Sequence, residues 1–437
     1  MNPGNLDPRL PVMQNADLAG KVVLVRVDHN VVKKGVVKDP YRIDATLATL
    51  YRVVEGGGRP ILMTHVGRPR DKKTGNITAD ENTAVRPVVD YLETKLSVRF
   101  VVPDLGPTGD QGITGLLGRL EPLVQDLRDR RIPGIYLPNT RWFQGEETKG
   151  DSRDRLAGEL ASLADVYVND AFGSWQPHAS TFDITRHLPA FAGMLMQKEI
   201  TNLQQVLSPE RPFLAVVAGS KVDTKIGPLR KIHQAVDSLI LGGVLYNAYL
   251  CAKYGIRVKG VQEEDIQAAG ELVRMDEGTG KILELPGVVE SGSLSGREEG
   301  NACTRWIKDM VPEHSHEYFL DIDPGSFDTP EVKKAFQGAG TIFVNAVMGL
   351  TPPFGEGTKR LNREVALNSK ALKLFGGGDT LQELKSLNPG LFLSAIDDPA
   401  YYFFTGGGTV LKALEQGSPY DLEPVKALIE NGGRPPA

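Results

Sequence analysis

Short, nearly unbroken apolar runs at 22–27, 60–63, 135–137, 166–168, 213–217, 238–241 and 341–344 alternate with longer helix-like stretches along almost the whole chain. Few folds tolerate that rhythm. A strand that is apolar on consecutive positions, not on every second one, must be covered on both faces, as in a parallel sheet wrapped by helices. The chain therefore reads as α/β, with doubly wound parallel sheets. The runs end in polar or glycine residues: Asp28, His65, Asn169 and Asp170, Gly219, Gly242 and Asn345. Ligands of open α/β sheets bind outside the carboxyl ends of the strands, so these positions are the first place to look for a site.

A chain of 437 residues is too long for one core, and two domains are expected. Residues 194–207 read as a helix joining a first sheet to a second one that starts near Phe213. The segment 106–133 reads as a surface excursion, 291–300 as a loop, and 413–437 as a helical pattern with a frayed end. A net charge of -5 leaves no electrostatic footprint for nucleic acid, and no run of about 18 apolar residues would span a membrane. Residues 1–18 lack the basic-then-apolar order of a signal peptide. Two cysteines, Cys251 and Cys303, cannot build a disulfide framework, so a reduced, cytoplasmic setting is expected.

Three triple-glycine runs differ in context. Residues 56–58 precede a strand and read as a helix end and turn. Gly377 and Gly378 lead into Asp379 and Thr380, and Gly406, Gly407 and Gly408 lead into a helix. Glycines before a helix N-terminus let backbone N–H groups converge on an anion. No Walker-type sequence and no G-x-G-x-x-G after a strand is present. Gly219 is followed by Lys221 and Lys225, four apart and hence on one face of a helical first turn; this fits phosphate binding, or simply a solvated helix start. In the first half, Arg26, Arg42, His65, Arg68 and Arg141 sit at or near strand ends, and arginine forks suit carboxylate and phosphate oxygens. Asp28 and Asn30, at the end of a buried strand, need partners.

These residues together resemble the phosphoglycerate kinases. The match runs through Arg26-Val27-Asp28-His29-Asn30, Arg42, Thr64-His65-Val66-Gly67-Arg68-Pro69, Asn139-Thr140-Arg141, Val168-Asn169-Asp170-Ala171-Phe172-Gly173, 221–225, 376–380 and 405–408. The resemblance implies two Rossmann-like domains facing a cleft: 1–193 for the phosphoglycerate, a linking helix 194–210, 211–405 for the nucleotide, and a tail 406–437 returning to the first domain. It implies reversible phosphoryl transfer between 1,3-bisphosphoglycerate and ADP, giving 3-phosphoglycerate and ATP, with Mg2+, in a glycolytic, cytoplasmic monomer that closes about its linking helix. Asp28, His29, Asn30, Arg42, His65, Val66, Gly67, Arg68 and Arg141 would bind the acid, with Arg42 and Lys221 catalytic. Gly219, Lys225, Asn345, Gly377, Gly378, Asp379 and Thr380 would bind nucleotide, Asp379 would meet the metal, and Gly406, Gly407 and Gly408 would form a phosphate loop.

Departures from the family's pattern are concentrated. Ser174-Trp175-Gln176-Pro177-His178 is one residue short of the usual segment and lacks its arginine, for which Arg186 or His187 would have to compensate. Around the expected base and ribose, Val244 and Phe319 stand where glycines are usual and Pro352 where a glutamate is usual. Three readings follow: a phosphoglycerate kinase with a reshaped base pocket, a paralogous kinase for another acid or nucleotide, and a non-catalytic binding relative.

Overall fold

The computed structural model describes residues 6–219 and 226–432. In the first half, strands β1 (Val22–Val27), β2 (Arg59–Met63), β3 (Ile135–Tyr136), β4 (Val166–Asp170) and β5 (Ala190–Ala192) form one parallel sheet in the order β3-β2-β1-β4-β5. Every residue of β1 is buried, as its continuous apolar character requires. Val23, Val25, Leu62 and Val168 have no exposed surface, and truncating Leu62 to alanine would cost about 2–5 kcal/mol. The chain leaves β1 in one direction across β2 and β3, then returns to the other side of β1 with β4. The reversal opens a crevice beyond the carboxyl ends of β1 and β4.

The second half repeats the plan. Strands β6 (Phe213–Ala218), β7 (Ser238–Gly242), β11 (Thr341–Asn345), β12 (Leu372–Gly376) and β13 (Tyr401–Phe404) form a parallel sheet ordered β13-β12-β11-β6-β7, reversing between β6 and β11. Between β7 and β11 lies an antiparallel sheet of β8 (Gly287–Ser291), β9 (Cys303–Trp306) and β10 (Tyr318–Ile322), ordered β9-β8-β10. Residues 291–300 are largely the β8–β9 connection. The three-residue β5 and the Lys373-interrupted β12 have no unbroken run long enough to announce them, whereas β13 is an unbroken aromatic run that the sequence reading does not single out.

Two compact units divide the chain: Met1–Thr201 with Pro419–Ala437, and Asn202–Ser418. The division falls inside helix α1 (Met194–Leu207). Helix α2 (Ile226–Ala235) packs against helix α6 (Gly407–Gln416), with helices α3 (Gly243–Tyr254), α4 (Glu356–Leu367) and α5 (Gly378–Leu387) between them in sequence. The expected tail boundary at residue 406 therefore moves: 406–418 stays with the second sheet, because α6 packs on α2. Only helix α7 (Glu423–Asn431) and the turn before it join the first unit, where Asn431 donates to Thr185 at 3.1 Å. The excursion at 106–133 is also less superficial than its charge suggests. Leu116, Leu120 and Leu127 are buried, and Arg128 makes a two-pronged contact with Asp165, whose carboxylate also accepts the amide of Val22.

Candidate active site

Beyond the carboxyl ends of β1, β2 and β3, three loops are tied to one another by side-chain-to-backbone bonds. Asn139 accepts from the amides of Val66 and Arg141 at 3.0 Å each, and donates to the carbonyls of Val66 and Thr83. Asn30 accepts from the amide of Gly67 at 2.9 Å, and Arg141 donates to the Gly67 carbonyl. Gly67 has φ +62, a conformation that favours glycine. Its contribution is thus to shape, since both its backbone groups are engaged.

Inside this frame Asp28 is 2% exposed, and neither carboxylate oxygen has a hydrogen-bond partner. The nearest cation is Arg42, with 3.5 Å from its Nη1 to Oδ2. A buried carboxylate left so short of donors is costly, and the arrangement suits a ligand that supplies one. His65 is 8% exposed; its Nδ1 lies 3.1 Å from Arg26 and 3.4 Å from the hydroxyl of Ser174. Burial, with Arg141, Arg26, His178 and Arg42 around it, holds the imidazole well below its ordinary pKa. Arg68 is exposed and makes no ion pair among the described residues. Arg141 pairs with Glu147 at 3.0 Å, and burial lowers its pKa.

Two residues expected to touch the acid do not present themselves. His29 is fully buried: its ring nitrogens lie 3.0 Å from Tyr136 and 2.9 Å from Thr46, and its amide donates to Thr64. Burial lowers its pKa to about 3, so it is a neutral core residue. The Val66 amide is consumed by Asn139. Neither candidate for the missing arginine replaces it. Arg186 pairs with Asp183 at 3.3 Å and lies 5.3 Å from the Phe182 ring, and His187 is exposed. His178 instead sits near Arg141 and Arg26, its pKa lowered to about 4 chiefly by burial. Glu146, fully buried and bonded to Ser180, carries no sequence signal that would have marked it.

The second unit offers backbone in place of side chains. At the β6–β11 reversal, the Gly219 carbonyl accepts from Leu245 at 3.1 Å, and Asn345 donates to the Gly376 carbonyl. Gly377 has φ +118, and a Cβ on Gly407 would stand 2.4 Å from the Gly377 Cα. Only glycines permit this approach, which sets the N-termini of α5 and α6 side by side. Their preceding residues, Gly377 and Gly406, give no side-chain cap, so the first-turn amides remain for an anion. Gly408, Gly378 and Asp379 are exposed there, while Thr380 is buried. Lys221 and Lys225 lie outside the described residues.

Among the described residues no three acidic, histidine or cysteine side chains gather as a metal cluster. Asp379, exposed and without an ion pair among the described residues, is one carboxylate beside a phosphate-type loop. That donor set fits Mg2+, which is commonly held by one or two carboxylates plus substrate phosphates. Of the positions expected near the base and ribose, Phe319 is 5% exposed with its ring 5.1 Å from that of His316, Val244 is half-buried, and Pro352 is exposed.

Residues 13–417 match the family described as phosphoglycerate kinase. The chain belongs to that family. Phosphoglycerate kinase of Desulforudis audaxviator is 34% identical over 412 residues, covering 92% of this chain and 95% of the relative. That of Thermus thermophilus is 34% identical over 414 residues, covering 93% and 97%. The phosphoglycerate kinase structure from Coxiella burnetii superposes with a TM-score of 0.73 at 28% identity, covering 96% of this chain and 99% of that one. The Pyrococcus horikoshii structure, at 19% identity and a TM-score of 0.74, shares the fold. Membership makes the chain a phosphotransferase of small-molecule substrates, in a family whose reaction takes ATP and ADP. No described helix is long and apolar enough to cross a membrane.

Proposed function

We propose that this chain moves a phosphoryl group between 1,3-bisphosphoglycerate and ADP, with the acid on the first unit and the nucleotide phosphates on the second. The observation that carries the acid assignment is Asp28, a buried carboxylate without a donor amid Arg42, His65, Arg68 and Arg141. Asp28 and Asn30 take the glycerate end, and the arginines take the phosphate and the transferring group. In the direction of ATP formation, the bond from phosphorus to the acyl oxygen breaks and one to a β-phosphate oxygen forms. The leaving carboxylate is stable as an anion, its ordinary pKa being about 4, so no general acid is required; in the reverse direction the same ionised carboxylate attacks without a general base. Catalysis then rests on positioning and on charge spread over the equatorial oxygens, to which Arg42, Lys221 and the α5 and α6 N-termini contribute. Asp379 would hold Mg2+, which when bound would neutralise phosphate charge.

The donor side supports a narrower reading within this one. With Pro352 in place of a carboxylate, one charged hydrogen bond to the ribose is missing, worth about 1.5–3 kcal/mol. We infer weakened nucleotide affinity, with turnover retained. Free Cys251 and Cys303 support a cytoplasmic setting, and a monomer is the expected state. The test is turnover of purified protein with 3-phosphoglycerate and a panel of Mg-nucleotides. Tight 3-phosphoglycerate binding with no turnover on any nucleotide would overturn the kinase assignment. Faster turnover of another acid would reassign the substrate.

A further inference from the structure

Arg26 is a charged residue in a strand otherwise made of valine and leucine, and it is fully buried. A guanidinium stays protonated and can only donate. Its Nε donates to Ser180 Oγ at 2.9 Å, and Nη1 donates to the Val27 carbonyl. Ser180 passes its own proton toward Glu146, so a buried carboxylate balances the buried cation through one hydroxyl. The remaining nitrogen, Nη2, lies 3.1 Å from His65 Nδ1. Because the arginine cannot accept, that Nδ1 must carry the lone pair. The Ser174 hydroxyl, 3.4 Å from the same atom, can donate to it as well. A neutral imidazole that accepts at Nδ1 bears its proton on Nε2. No described residue bonds to Nε2.

We propose that Arg26 is a positioning residue that locks His65 in the Nε2–H tautomer, so that His65 meets the acid substrate as a neutral hydrogen-bond donor and not as a cation. The ligand's identity rests on the proposed function; the hold of Arg26 on His65 does not. The charges facing the ring agree with a neutral state. Arg26 comes from β1, Arg42 from the helix Tyr41–Asp44, Arg141 from the turn Thr140–Trp142, and His178 from the loop after β4. Of the carboxylates in this cluster, Glu147 pairs with Arg141, Glu146 accepts from Ser180, and Asp28 faces Arg42 at 3.5 Å; none bonds to the imidazole. Positive charge for the phosphate is thus supplied by arginines, and His65 adds a donor whose strength does not fade as pH rises through 6 to 8.

Nitrogen-15 NMR of histidine-labelled protein without ligand tests the lock directly, with His65 assigned by its loss in His65→Gln. The expected result is a protonated-type Nε2 and an unprotonated-type Nδ1, unchanged down to pH 5.5. Protonation near pH 6.5, or a proton on Nδ1, would overturn the proposal, whatever the enzyme's activity. In Arg26→Met the tautomer should become mixed; a pure Nε2–H form in that variant would remove the role from Arg26. Should Arg26→Met not fold, the wild-type spectrum decides alone. With 3-phosphoglycerate, His65→Leu should raise KM about tenfold over His65→Gln, whose amide can donate in place of Nε2. Equal impairment of the two, with a wild-type KM that climbs through pH 6.5, would show a cation instead. An Nε2–H spectrum in a protein that fails to bind 3-phosphoglycerate would leave the lock intact and remove the acid assignment.

Discussion

The two units share a five-stranded parallel sheet and one strand-order reversal, yet they load the carboxyl edge of that sheet in opposite ways. The first fills it with charged and amide side chains that brace one another: Asn139 across two loops, Asn30 on Gly67, Arg26 on His65. The second clears it, so that Gly377 and Gly407 can bring two helix N-termini into contact. A carboxylate-bearing phosphate ester has an asymmetric shape, which suits fixed side chains. A chain of phosphates repeats one chemical unit, which suits backbone amides. On the proposed assignment, the same fold yields a shape-reading half and a charge-reading half. The comparison predicts that lesions on the first half act on the KM of the acid, and lesions on the second on the nucleotide or on kcat.

The largest break should come from Lys221→Ala. An ammonium group on the transferring phosphoryl acts mainly in the transition state, so kcat should fall about 10²–10³-fold with acid binding nearly unchanged. Turnover unaffected by the change would remove Lys221 from the reaction. Next is Gly407→Ala, whose methyl would meet the Gly377 backbone at 2.4 Å. Overpacking there should cost about 1–3 kcal/mol of stability and raise the nucleotide KM at least tenfold. Gly378→Ala, with nothing within 4 Å of the added carbon, should leave the melting temperature alone. If the two variants melt together, the paired glycine loops are not what limits packing.

Both units also bury an aspartate against a helix start. Asp170 accepts from the amides of Leu195 and Met196, and Asp321 accepts from that of Gly357. Burial raises each to about 7. A carboxyl whose folded pKa lies above its unfolded value favours the folded state while it stays protonated. Its contribution is therefore full near pH 4 and is lost as pH rises toward 7. Urea unfolding at pH 5 and pH 8 should show a fall of about 2 kcal/mol per group, flattened in Asp170→Asn and Asp321→Asn. An unchanged slope in either variant would show that its unit does not bury the charge.

How much of this was legible beforehand follows the same divide. The strand ends Asp28, His65 and Asn345 were visible because polar residues interrupt apolar runs. Which of the neighbouring residues face a ligand was not visible. His29 sits between two such residues in sequence, yet alternation along the chain turns it inward to Tyr136 and Thr46. Glu146 and Ser180, which balance Arg26, are brought together by tertiary folding across 34 positions, and no local pattern encodes that. The antiparallel strands β8 to β10 escaped notice because β9 is largely exposed and carries no apolar run.

A smaller effect sharpens the first half. Asp28→Ala removes a side chain whose oxygens have no donor in the folded protein. The acid should bind about tenfold more weakly while the nucleotide KM holds, and the melting temperature should change little, since the side chain gives up one long ion pair, 3.5 Å to Arg42, and no hydrogen bond. A large loss of stability would mean that Asp28 is held by the protein itself, through Arg42, and not reserved for a ligand.

The smallest expected effect concerns the arginine missing between Gly173 and His178. If the chain had compensated, Arg186 would be the natural substitute, and Arg186→Ala would weaken acid binding severalfold. Its guanidinium is instead spent on Asp183 and beside the Phe182 ring, at a position half-exposed to water. An exposed ion pair of this kind contributes about 0–1 kcal/mol, and none of that reaches the ligand. Arg186→Ala should therefore change the KM for 3-phosphoglycerate less than about twofold. A severalfold rise would show that Arg186 leaves Asp183 when the acid binds, and the first half would then be less pre-formed than its network of bonds implies.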